Sequence, residues 1–224
     1  MGFFTKKGIK KNLFYYFGEI IVIVIGIFIA IQLNNWNENR KNEIEEKRIL
    51  RQVLLDLKTE KYVLEDVKQR MKKNREYLIN VRFNSSKKNL DSIYIHLSSI
   101  FIHYPMNSEY VNLKSSGKLG LLSNNKLRYN IVNYYEVYYK LYEELEEAHM
   151  KKYYDEIQPY FDNEFPSDTT LLMDPNIVAE KLKDKKFKNI LVSQIGNYGM
   201  SNGYINTSII DTLINSIKKD TLNH

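Results

Sequence analysis

Between Leu13 and Leu33 the chain runs for 21 residues with only Glu19 and Gln32 strongly polar, and from Ile20 to Ile31 no side chain is polar. As a helix this stretch is about 30 Å long, the thickness of a bilayer's hydrocarbon core. Lys6, Lys7, Lys10 and Lys11 precede it and Trp36 follows it, residues suited to the two membrane interfaces. A cleaved signal peptide is the main competing reading. The apolar core is longer than a typical signal core and no A-x-A-like pair of small residues marks a cleavage site, so an uncleaved anchor is favoured. Lys6 stands where a myristoylation signal needs Ser or Thr. The expected organisation is a basic cytoplasmic tail over 1–12, a transmembrane helix over 13–36 and an α-helical extramembrane domain over 37–224.

Orientation follows from the flanking cations. Four lysines abut one end, while Arg40, Lys41, Lys47, Arg48 and Arg51 lie within about 20 residues of the other, so the count is a near tie. Proximity keeps the lysines in the cytoplasm, and long domains cross regardless of charge. The domain over 37–224 is therefore expected in the periplasm. A tail of a dozen residues is too short to signal, so any signal across the membrane needs a partner.

Within the span, Glu19 is the costly residue. A charge at the bilayer centre costs about 2.5–3.5 kcal/mol on insertion scales, but Glu19 lies only about 9 Å from Leu13. It either snorkels to the headgroups or faces another helix. Glu19, Gly26 and Ala30 are separated by seven and four residues and share one helical stripe, with Gly26 and Ala30 forming a small-xxx-small pair that admits a close neighbour.

The net charge of +6 divides evenly: +3 falls in residues 1–33, and 29 basic against 26 acidic groups give +3 to the other 191 residues. No basic surface for nucleic acid is indicated. The absence of cysteine removes disulfides, thiolate metal sites and cysteine nucleophiles together.

The residues Gly18-Glu19-Ile20, Gly26-Ile27, Ile29-Ala30 and Asn34-Asn35-Trp36-Asn37-Glu38 resemble the N-terminal signature of an uncharacterised family of small bacterial single-pass membrane proteins. "LKSSGKLGLLSNNKLR", Leu113 to Arg128, is similar to that family's central Ser-Ser-Gly-x-Leu stretch before a long helix. The resemblance implies an inner-membrane protein and carries no catalytic residues with it.

Beyond the span, Leu50, Leu57, Leu64, Met71 and Leu78 recur every seven residues. Val53, Val67 and Val81 take the complementary positions, interrupted by Glu60 and Asn74. This heptad seam predicts a helix from about Glu38 to Arg82, one that can continue the anchor, as far as a break at "NSSKKN", Asn84 to Asn89. A shorter helix is expected over Leu90–Tyr104, stopped by Pro105, and another ending with Gly117 as its C′ residue. A second long helix is expected from Asn124 to Pro159, with Leu127, Ile131, Tyr135, Tyr138, Leu141 or Tyr142, Leu145, His149 and Tyr153 along one stripe. After the loop "NEFPSDTTLLMDP", Asp174 and Pro175 open a further helix as N-cap and N1. Gly196, Gly199 and Gly203 are expected to interrupt it before Ile209–Ile217. The predicted class is all-α: an N-terminal transmembrane helix, then a long heptad-patterned helix and an antiparallel bundle.

No reaction is legible. Glu146 and His149 have the E-x-x-H spacing of carboxylate metal bundles, but no second such pair exists, and a solvated acidic face explains them. His96 and His103, seven apart, read as core or surface histidines sharing a helix face. "SSGK" lacks the earlier glycine of a P-loop, which falls on Asn112. The three C-terminal glycines do not make G-x-G-x-x-G. The expectation is therefore a protein without catalysis, cofactor or metal. Its partners are the bilayer and, through the membrane or heptad helix, itself or another membrane protein. A periplasmic ligand-binding or sensory bundle is the alternative.

Overall fold

The computed structural model describes residues 6–84, 89–165 and 171–222, with side chains in the first helix from Tyr16 onward. It is 87% helical and has no strand among the described residues, so the chain is all-α. Helix α1 runs unbroken over Lys6–Asn84, through both the apolar segment and the heptads. The chain divides into two compact units, Met1–Ile49 and Leu50–His224. In the first, the described side chains from Tyr16 to Leu33 are all exposed.

The second unit is built on the heptad seam. Leu50, Leu57, Leu64, Met71 and Leu78 are each at most 2% exposed, with Val53, Val67 and Val81 beside them in the core. A 3₁₀ turn at Leu90–Ser92 leads into the short α2, Ile93–Leu97. The helix expected to continue to Tyr104 stops here, and residues 99–107 are neither helix nor strand. Two physical reasons act together. Pro105 disfavours the α conformation at Tyr104, and the run of Ile, Phe and His alternates inward and outward, with Phe101 and His103 buried.

Helix α3, Ser108–Ser115, closes as expected, with Gly117 past its end at φ 70°. The second long helix is present as three α segments, α4 (Asn125–Asn133), α5 (Tyr139–Lys152) and α6 (Gln158–Glu164), joined by π-helical turns at Tyr134–Tyr138 and Tyr153–Ile157. Asn124 caps it by accepting from Lys126 N and Leu127 N. Each π turn holds an extra residue. The first moves the inward position from Tyr138, half-buried, to Tyr139, which is buried. The second loosens the backbone just before Pro159, whose ring and missing N–H a regular α turn would not accept. Tyr153, placed on the buried stripe by regular periodicity, is half-buried, and Ile157 is buried instead.

Helix α7, Pro175–Lys181, starts on Asp174 and Pro175 as predicted. The break that follows comes at 182–184, and α8, Lys185–Tyr204, passes straight through Gly196, Gly199 and Gly203. This corrects the expected glycine interruption: the helix ends only at Ile205, before α9, Thr207–Leu222. Packing outweighs the helix cost of glycine because Ile190, Leu191, Ile195 and Tyr198 bury one face of α8. At Gly199 the side chain of Arg75 comes within 3.1 Å of where a Cβ would sit.

Contacts along α1 fix the direction of its neighbours. Arg75 lies against Gly199, Lys68 Nζ donates to Ile205 O at 3.0 Å, and Lys61 Nζ pairs with Asp211 at 2.7 Å. Descending α1 while ascending α8 and α9 is an antiparallel arrangement. Residues 85–88 of the expected "NSSKKN" break, and 166–170 of the expected loop, lie outside the described residues.

Candidate functional site

Glu60, one of the two polar residues that interrupt the seam, is 1% exposed, and a carboxylate so placed must find donors. It finds three. His103 Nε2 lies 2.9 Å from Oε1, Met106 N–H donates to Oε2 at 3.3 Å, and the Tyr139 hydroxyl donates to the same oxygen. Met106 N also reaches the Tyr139 hydroxyl at 3.0 Å. The His103 ring stands edge-on to Tyr139 and Tyr142, at 4.8 and 5.1 Å. The second interruption, Asn74, is half-buried and meets the other histidine of the pair, with His96 Nδ1 2.8 Å from its Oδ1.

The spacing bears on why the helix does not continue from one histidine to the other. Glu60 and Asn74 are 14 residues apart, about 21 Å along a helix. His96 and Leu97 close α2, and the irregular run from Ser99 onward carries the chain toward Glu60 with a larger rise per residue than a helix allows. A shared helix face, as the periodicity suggests, would cover about 10 Å. Helix α8 supplies donors for the carbonyls left open there: Tyr198 Oη lies 2.7 Å from both His96 O and Ser99 O, and Gln194 Nε2 donates to Leu97 O at 3.0 Å.

Around Glu60 the hydroxyls of Tyr134, Tyr135 and Tyr142 are buried with no hydrogen-bonding partner among the described residues. Burial pushes these phenols, and Tyr139, well above the ordinary tyrosine range, and the Glu60 charge adds to the shift. They stay protonated at any physiological pH. Asp56, one turn away, is also raised by burial while accepting from Glu109 N.

The E-x-x-H pair separates. Glu146 Oε2 accepts from His103 N at 3.2 Å, whereas His149, 2% exposed, places Nε2 2.7 Å from Ser201 Oγ. No group of three potential metal ligands occurs among the described residues. The His149–Ser201 pair resembles a base and nucleophile only in outline. Ser201 is 0% exposed and its hydroxyl donates to Asn197 O at 3.0 Å, so no lone hydroxyl proton faces His149. His149 instead donates from Nε2, leaving Nδ1 as a buried acceptor without a partner among the described residues. Burial lowers its pKa to about 4.

Two of the cavities among the described residues open on this unit. One of about 650 Å³ has Tyr110 and Tyr135, stacked at 4.5 Å, in its lining, with the Lys114–Glu136 pair beside them. The other, about 240 Å³, lies where α4 begins and α9 ends, and is lined by Asn124, Lys126, Leu127, Asn130, Ser216, Lys219 and Asp220.

The membrane-face candidates are all on the exposed part of α1. Glu19, Gly26, Ala30 and Trp36 are solvent-facing, Trp36 at 64%, and a Cβ on Gly26 would meet nothing within 4 Å. Their spacing puts the first three on one stripe of a continuous helix. Sequence motifs alone do not nominate the Glu60 cluster. Its signal is the polar interruption of the heptads, matched by two histidines at half the spacing.

No curated protein and no solved structure matches the chain. A family profile covers residues 19–194, from Glu19 in the apolar segment to Gln194 in α8, well over half the chain. On that match the chain belongs to DUF6090, a family of unknown function.

Proposed function

We propose that the protein is a single-pass membrane protein that presents a helical bundle and acts as a scaffold or interaction partner of another membrane protein, without catalysis. One observation carries this reading. From Ile20 to Leu33, eleven large apolar side chains are 42–69% exposed, and none of the span is buried. Leaving them in water forgoes on the order of 15 kcal/mol of transfer free energy. A bilayer supplies the missing environment, and Trp36 and the lysines before the span suit its two interfaces.

In this reading the membrane is the bacterial inner membrane, in keeping with the family resemblance at residues 18–38. The lysines remain cytoplasmic and the domain over 37–224 lies in the periplasm. Lack of catalysis is favoured because each histidine close to a catalytic arrangement is already engaged: His103 with Glu60, His96 with Asn74 and His149 with Ser201. The partner contacts the stripe of Glu19, Gly26 and Ala30, where the small residues admit a close helix and Glu19 meets a donor. Snorkelling of Glu19 to the headgroups is the competing account.

The test is copurification after mild detergent extraction, with chemical crosslinking in intact membranes. Glu19→Ala combined with Gly26→Leu is expected to abolish the crosslinked species while the protein stays in the membrane. Unchanged association would leave Glu19 as a snorkelling residue and remove the packing face. Protease treatment of spheroplasts checks orientation, and protection of residues 37–224 would reverse it. The alternative, a ligand-binding or sensory bundle, draws its support from the polar cavity at Asp220.

A further inference from the structure

Charge in the second unit is unevenly placed. Residues 50–224 carry 25 basic and 22 acidic groups, +3 in all. Between Glu109 and Glu136 the chain holds four cations and no acid, and near its end Lys218 and Lys219 stand beside one acid, Asp220. Contacts collect these stretches at one end of the unit. Helix α9 descends α1 from Lys68 and Ile205 to Lys61 and Asp211. Nine more residues, about 14 Å, bring Asp220 level with the start of the unit near Leu50. There Asp220 Oδ1 accepts from Asn124 Nδ2 at 2.7 Å, which sets the first turn of α4 and the 3₁₀ turn before it, Lys118–Leu121, at the same end.

Six cations therefore gather at the end where α1 enters: Arg51, Lys118, Lys126, Arg128, Lys218 and Lys219. All but the half-buried Arg128 are exposed. Arg51, Lys126, Lys218 and Lys219 make no ion pair among the described residues. Set against Asp220, the six leave +5 here and −2 over the rest of the unit. Tyr129, 68% exposed, lies one turn on from Lys126 and shares its face. The opposite end is mixed. Helix α8 starts 14 residues, about 21 Å, beyond the contact of Gly199 with Arg75, and Tyr160 joins Asp184 there at 2.9 Å. Residues 155–165 and 171–188, around α6 and α7, hold seven acids and five bases, in pairs such as Lys181–Glu164.

We propose that this end of the second unit docks on anionic lipid headgroups. The inference rests on the single-pass reading, because the span is what brings lipid near. Leu33 and Leu50 are 17 residues apart on one unbroken helix, at most about 25 Å. A tether that short makes the bilayer surface the polyanion present at the highest effective concentration. Six clustered cations are attracted to a leaflet that carries anionic headgroups and gain little from a zwitterionic one, and Tyr129 suits the headgroup layer. The requirement is anionic lipid in whichever leaflet the domain faces. The opposite end, with both signs interspersed, has no such preference.

The chain has no cysteine, so a single introduced cysteine carries a fluorophore to one place. Ser116→Cys labels the basic end and Asn189→Cys the opposite one, both at exposed positions. The labelled full chain is reconstituted in phosphatidylcholine vesicles, with or without about a third phosphatidylglycerol, each containing a lipid with a nitroxide headgroup as quencher. Phosphatidylglycerol is expected to raise quenching at position 116 at least about twofold and to leave position 189 unchanged. The rise is expected to vanish in about 1 M salt, where the screening length is about 3 Å. Charge reversal by Lys126→Glu with Lys219→Glu, both exposed, is expected to remove it at unchanged circular dichroism. An equal rise at both positions, or one that survives charge reversal, would overturn the proposal. Equal quenching in the two lipids would also overturn it and make an acidic protein surface the counterpart of this end. An alkaline carbonate wash of the neutral vesicles separates the two readings. A chain retained there without the lipid-dependent rise keeps its anchor and loses the docking, whereas a chain washed off loses both.

Discussion

Glu60 and Asn74 sit where a continuous heptad seam would have Val or Leu, and each meets one histidine of the chain that crosses it. An all-apolar seam would accept that crossing segment one turn up or down at little cost; a buried carboxylate needing three donors accepts one register. The role is therefore one of hydrogen bonding more than of charge, and substitutions separate the two. Glu60→Ala strands His103 and Tyr139 in the core and is expected to cost about 3–5 kcal/mol. Glu60→Gln keeps an acceptor for Met106 N–H and Tyr139, gives His103 an amide partner, and is expected to cost about 1 kcal/mol. Urea unfolding followed by circular dichroism measures both, and equal losses would mean that the negative charge itself, rather than the hydrogen bonds, holds the crossing in place. His149 makes a pH prediction with a definite sign. Its folded pKa, about 4, lies below the ordinary histidine value, so the unfolded chain binds more protons between pH 4 and 6.5. Its contribution to stability is fully present above about pH 6.5 and is lost as pH falls toward 4, at up to about 1.4 kcal/mol per unit. His149→Gln retains an N–H for Ser201 and does not titrate. The urea midpoint of this variant should fall less steeply over that window than that of the unsubstituted chain.

The elements that period and capping specify locally were legible: the seam from Leu50 to Val81, the Asp174–Pro175 start, and Gly117 past the end of α3. What escaped the sequence depends on distant partners. The end of the helix at Leu97 goes with the roughly 21 Å between Glu60 and Asn74, which a continued helix from His96 to His103 would not span, and α8 survives its glycines because of the face it buries. The π turns are harder still to read, since one extra residue leaves every local propensity intact and only shifts which tyrosine turns inward. That shift is testable by deletion. Val137 is 53% exposed within the first π turn; removing it regularises the helix and leaves later residues on their faces. Glu144 is exposed in the regular α5, and removing it rotates everything after it by about 100°, turning His149, Ile157 and Tyr160 out of the core. Loss of Val137 is expected to lower the thermal midpoint by a few degrees, whereas loss of Glu144 should abolish the cooperative transition. If both deletions behave alike, the π turn does not absorb a residue.

At the scale of the whole chain, the two units follow opposite rules for the same residue types. From Leu50 onward Leu, Ile and Val are driven into a core; from Tyr16 to Leu33 they stand exposed on a continuous helix. Composition averaged over 224 residues hides this, because 43% hydrophobic content is ordinary for a globular protein and the +6 charge divides equally between the two regions. Position along the chain restores it, and the exposure of residues 16–33 is what supports the bilayer proposed above as their medium. Charges introduced there test that medium directly. Ile23 and Ile27 are one turn apart near the middle of the span, so Ile23→Lys with Ile27→Lys puts two ammoniums on one face at a cost of about 5–7 kcal/mol on insertion scales. Ile44, 61% exposed and beyond the span, provides the control through Ile44→Lys. After alkaline carbonate extraction the double variant is expected in the supernatant and the control in the membrane pellet. A double variant that stays in the pellet would move the anchor away from this segment and take the single-pass reading with it.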